Sequence, residues 1–96
     1  MNDDLPEILQ AEWAKDQVMQ LFADLSEGAD VQHVQLKSSK TDATVSLADA
    51  ARSFAENDAQ AIQVRYLFEG EMWCDTIMPG DPTTKIIRNR LPTLDS

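Results

Sequence analysis

Arg65, Trp73, Cys74 and Asp75 come nearest to chemistry in this chain, because two β-rich runs flanking Glu69-Gly70 bring them close together along a ladder. Neighbouring strands would let Arg65 pair with Asp75 or stack on Trp73. The only cysteine, Cys74, and the only histidine, His33, are the one conceivable nucleophile and base, yet no third residue is placed to orient the imidazole. One cysteine and one histidine about forty residues apart cannot assemble a zinc ligand set, so no metal site is expected. Gly28, Gly70 and Gly80 are too scattered for a phosphate loop, neither GxSxG nor CxxC occurs, and no cofactor is expected. Asp3-Asp4 suits a helix start, and the Glu69 and Glu71 pair suits a hairpin tip.

Which of these residues share a face depends on the loop at Gly70. A two-residue Glu69-Gly70 turn places Tyr66 opposite Trp73 and Val64 opposite Asp75, which leaves a carboxylate on the apolar face of Ile62, Val64, Tyr66 and Phe68. Such a carboxylate is costly unless it is paired. A loop longer by one residue, with Gly70 as a left-handed bulge, groups Ile62, Val64 and Tyr66 with Met72, Cys74 and Met78, and sets Arg65, Leu67, Trp73, Asp75 and Ile77 on the other face. The bulged register avoids the buried charge and is the one the sequence favours.

The elements that must hold these residues follow from periodicity. Ala11, Ala14, Val18, Leu21, Phe22 and Leu25 recur at helical spacing, Pro6 suits a first turn and Gly28 a stop, which predicts a helix or a kinked pair over residues 5–26. Trp13 falls off that stripe and aligns with Leu5 and Leu9, either covering the edge of the core or forming an outer strip for a partner. Residues 31–37 alternate as a strand with Val34 and Leu36 inward and His33 on the other face. Polar SSKTDA reads as a loop, and Ser46 with Asp49 caps a second helix that buries Leu47, Ala50, Ala51 and Phe54 and ends at Asn57-Asp58. Strands follow over residues 61–68, 72–78 and 84–89, with Lys85, Arg88 and Arg90 guarding an edge strand and a loose tail over residues 91–96. The fold class is therefore α+β, two helices packed on one face of a three- or four-stranded mainly antiparallel sheet, in the order αβαβββ.

At 96 residues there is room for one core and hence one domain. The net charge of -9 is uneven, with twelve acids against four bases in residues 1–60 and five against four in residues 61–96. An acidic field of this kind disfavours nucleic acid and anionic lipid as partners. No run is long and apolar enough to span a bilayer, the acidic start does not resemble a secretory signal, and a lone cysteine suits a reducing, cytoplasmic setting.

Three functions fit these residues. The leading expectation is a non-enzymatic binding or accessory protein, a monomer or weak homodimer, that engages another protein through Trp13, Arg65, Leu67, Trp73 and Asp75. A second is a ligand binder or minor enzyme with a helix-sheet pocket near His33, Tyr66 and Cys74. A third is an acidic inhibitor that imitates nucleic acid with Glu12, Asp16, Asp24 and Glu27.

Overall fold

A computed structural model describes residues 8–92. In chain order the elements are β1 (Ile8–Trp13), α1 (Lys15–Gly28), β2 (Asp30–Lys37), β3 (Asp42–Thr44), α2 (Leu47–Ala55), β4 (Ala61–Phe68), β5 (Glu71–Met78) and β6 (Thr84–Arg90). All strands join one antiparallel sheet in the order β1-β6-β5-β4-β2-β3. The α+β class holds, but the sheet has six strands rather than three or four.

The two unanticipated strands lie at the two edges. β1 occupies part of the segment expected to be helical, and it pairs Ala11 with Ile86 and Trp13 with Thr84. Ala11 and Trp13 are two residues apart and both half-buried, while Gln10 and Glu12 are exposed, so the segment follows a period of two. That period explains why Trp13 falls off the stripe of α1, which buries Val18, Leu21, Phe22 and Leu25. The expected helix start at Leu5 and Pro6 lies outside the described residues. β3, overlapping the end of the expected loop, is three residues long and pairs Ala43 with Leu36; the Ser38 hydroxyl accepts from the Lys40 and Thr41 amides in the intervening turn.

Both helices cover the same face of the sheet. Phe22 of α1 meets Phe54 of α2 with ring centroids 5.8 Å apart, and the core beneath them contains Val34, Leu36, Ile62, Val64, Tyr66, Ile77 and Ile86. α1 has no side-chain cap at Ala14; instead the Ala14 amide donates to Gln17 Oε1 at 2.9 Å. Ser46 caps α2 by accepting from the Asp49 amide at 3.0 Å. α2 ends where Asn57 turns left-handed (φ 61), with the Asp58 amide donating to Ser53 and the Asn57 amide to Phe54, a Schellman closure. Lys15 reinforces that end, its ammonium donating to the Ala55 carbonyl at 2.8 Å and to Asn57 Oδ1 at 3.2 Å.

The register of the β4–β5 hairpin is the principal correction. Tyr66 faces Trp73, Val64 faces Asp75 and Phe68 faces Glu71, so Glu69 and Gly70 alone form the turn. Both have positive φ, 52° and 82°, as a tight hairpin whose twist matches its strands requires. Trp73 and Asp75 therefore lie on the helix-covered face, and Cys74 and Met72 on the open one, the reverse of the bulged register. β6 is likewise an interior strand, between β1 and β5, and its basic residues do not guard an edge. The Leu91 amide continues the β5 pairing by donating to the Met72 carbonyl at 2.9 Å, so the expected loose tail does not begin at residue 91; residues 93–96 lie outside the described range.

Candidate functional site

The charge that the tight turn forces inward is paired. Asp75 is 0% exposed, and Arg88, its cross-strand partner on β6, grips it with two hydrogen bonds, Nε to Oδ1 at 2.8 Å and Nη2 to Oδ2 at 3.0 Å. The Tyr66 hydroxyl donates to the same Oδ1 at 3.0 Å. A bidentate guanidinium and a phenol supply the donors that a carboxylate loses on leaving water. Burial, with Asp75 adding to it, pushes the Tyr66 phenol well above its ordinary value. The hydrogen bond to Asp75 likewise pushes the Arg88 guanidinium up. The Arg88 side chain is 23% exposed, so the pair is closed to solvent on the aspartate side and partly open on the arginine side.

Trp73 lies beside this cluster, 7% exposed and part of the hydrophobic core. Its indole N–H is buried with no acceptor among the described residues, which costs roughly 1–3 kcal/mol. Neither Trp73 nor Asp75 is thus available on the surface assigned to them from sequence. Trp13 is half-buried against the core at the far end of β1. Arg65 is exposed and Leu67 half-buried, both on the open face.

That open face carries a distinct set of side chains. Register places Leu67 beside Met72, Arg65 beside Cys74, and Thr76 beside Ile87. Met72, Met78 and Ile87 are half-buried although neither helix covers this side, and Cys74 is 8% exposed. Burial pushes the Cys74 thiol up, which leaves it a poor nucleophile at neutral pH. Among the described residues the charges on the strands of this face balance: Glu12, Asp30 and Asp42 against Lys37, Arg65 and Lys85. The excess of acid is therefore carried elsewhere, in large part by the helical layer.

The second group of residues read from sequence does not form a pocket. Tyr66 is on the covered face, while His33 and Cys74 are on the open one with Arg65 between them. Two strand spacings separate imidazole from thiol, about 10 Å, too far for proton transfer. The four acids of the mimic reading are also divided, since Glu12 is on the open sheet face and Asp16, Asp24 and Glu27 are on α1. Among the described residues no group of three or more His, Cys, Asp or Glu side chains is gathered to hold a metal ion, and no helix is long and apolar enough to cross a membrane.

Sequence reasoning missed Arg88 as the partner of Asp75 and missed the placement of Met72 and Ile87 on the open face. The signal for the first was a basic residue that the alternation of Ile86 and Arg88 sets on the covered face of β6. Compared with known proteins, the chain matches no family model, no curated protein and no solved structure.

Proposed function

We propose that the protein is a non-enzymatic binding protein that engages another protein through the open face of its sheet. The observation that carries this reading is the composition of that face: half-buried Leu67, Met72, Met78 and Ile87, exposed Arg65, and balanced charge on a chain whose net charge is -9. An apolar centre with an arginine at its side is the usual make-up of an interface hot spot. Local charge balance matters because it lets a protein surface approach without the repulsion that the rest of the molecule exerts on acidic neighbours. Arg65 and Leu67 act as the contact residues, and Asp75 and Trp73 hold the strands that present them.

Photo-crosslinking tests the reading. A photoreactive residue at Gln63, exposed on the open face, should capture a discrete partner in cell lysate, and Arg65→Ala or Leu67→Asp should abolish the capture without lowering the thermal midpoint. The same residue at Ser39, in the β2–β3 turn, is the control. Equal yields from both positions, or capture indifferent to Arg65 and Leu67, would remove the open face as the binding surface.

A further inference from the structure

The two edges of the sheet are built differently. β3 forms one edge with three residues and carries Asp42 in its short run. β1 forms the other with six residues, ILQAEW, which hold no proline and no lysine and pair with β6 in unbroken register, without a bulge. Short length, proline, lysine and bulges are the devices by which edge strands avoid pairing with another chain. β1 has none of them. Its one charge, Glu12, is opposite Lys85 and accepts from the Thr83 hydroxyl at 3.3 Å.

The main chain of β1 determines what can join it. In an antiparallel pair alternate residues turn their N–H and C=O groups away from the partner strand. On β1 those outward groups have no partner among the described residues, since β1 pairs with β6 alone and no described turn, loop or side chain bonds to its main chain. An exposed row of alternating donors and acceptors is matched by an extended strand, whereas a helix has already spent its own amides and carbonyls.

The residues select the strand. A copy of β1 that lies antiparallel along this edge is related to the first by a two-fold axis perpendicular to the sheet, and the axis passes between two copies of one residue. Centred on Glu12, it sets two carboxylates against each other. Centred on Gln10, it sets Glu12 against Ile8 and leaves Trp13 beyond the pairing. Centred on Ala11, it sets the Gln10 amide opposite Glu12 on both sides of the axis, where the amide can donate to the carboxylate oxygen that Thr83 does not use. It also puts the small Ala11 side chains together at the axis and brings half-buried Trp13 inside the seam, opposite position 9 of the other copy. Glu12 and Lys85 balance each other beside the seam, so two chains of net charge -9 meet where neither strand repels the other.

We infer that β1 pairs antiparallel with β1 of a second copy of this chain, centred on Ala11, joining two six-stranded sheets into one. This inference does not rest on the open-face reading, because the seam lies at the end of the sheet and leaves Arg65 and Leu67 of both copies uncovered.

Sedimentation equilibrium of the whole chain from about 1 µM to about 1 mM, at about 0.15 M salt where repulsion between the acidic copies is largely screened, provides the test. The mass should climb from 10.7 kDa toward twice that value. Gln10 is exposed, so its replacement leaves the fold intact, and the two-fold axis makes each change act twice. Gln10→Lys, facing Glu12, should tighten Kd about three- to tenfold, and Gln10→Glu should weaken it by a similar factor. Ser39→Lys and Ser39→Glu, the same charge changes in the β2–β3 turn at the other end of the sheet, should each alter Kd by less than about twofold. A chain that stays monomeric throughout would overturn the assignment. So would a dimer whose Kd ignores the Gln10 variants, moves the same way in both, or shifts as far in the Ser39 variants.

Discussion

Asp75 and Arg88 carry opposite risks when altered singly and together. Asp75→Ala strands a guanidinium in a partly buried site, and Arg88→Ala strands a fully buried carboxylate that retains, among the described residues, the Tyr66 hydroxyl as its side-chain donor. Each should lower unfolding free energy by about 3–5 kcal/mol in urea titrations, at the lower end for Asp75→Ala because Arg88 reaches solvent. Replacing both with apolar residues of similar volume, Asp75→Leu with Arg88→Met, should cost clearly less than either single change, because no charge is then left without its partner. A double variant as unstable as the sum of the singles would show that the site demands ionic groups for another reason.

Turn chemistry decides the stability of the hairpin as an element. Glu69 adopts φ 52°, a conformation that asparagine tolerates better than glutamate, and Gly70 adopts φ 82°. Glu69→Asn should raise the urea midpoint by an amount equivalent to about 0.5–1 kcal/mol, and Gly70→Ala should lower it by about 1 kcal/mol. The same hairpin shows how far sequence alone reaches. Strands β2, β4, β5 and β6 and both helices are legible from alternation, helical spacing and the Ser46 cap. The register is not, because β5 is apolar on both sides, Trp73 and Ile77 on one and Met72, Cys74 and Met78 on the other. Hydrophobicity then fails to choose, and avoidance of a buried charge favours the wrong alternative when its partner on the next strand is not recognised. β1 is hidden for a related reason: Ala11 and Ala14 fit a helical stripe as well as a strand, and Trp13, aligned with Leu5 and Leu9, is read as a second helical strip rather than as a break in period. Short β3 has no apolar signal of its own beyond Ala43. The candidate site was legible only at Arg65 and Leu67, since their place on the open face does not depend on the β5 register.

Acidity, proton uptake and the arrangement of the sheet act on the molecule as a whole. The Cys74 thiol and the Tyr66 phenol both titrate higher in the folded state than their ordinary values of 9.0 and 10.0, each chiefly through burial. The folded protein therefore keeps protons that the unfolded chain releases. The stability they contribute is complete below those ordinary values and is lost as pH rises through the folded ones. Urea midpoints should stay flat with respect to these two groups up to about pH 9 and fall beyond it. Tyr66 is the only tyrosine, so its ultraviolet absorbance reports ionisation directly: no tyrosinate should form in the folded protein as pH passes 10.0, and it should appear together with unfolding. Tyrosinate forming near its ordinary value with the fold intact would contradict the buried hydrogen bond to Asp75. The ion pair behind that bond also has a consequence for how many native states the chain possesses. A strand that is apolar on both sides gives hydrophobicity little hold on its register, which is then left to the two-residue turn and to a charge that must meet its counter-charge. The double variant Asp75→Leu with Arg88→Met removes the electrostatic half of that discrimination. Its amide spectrum should show two slowly exchanging populations where the wild type shows one, so the chain without its ion pair would remain folded and cease to be singular.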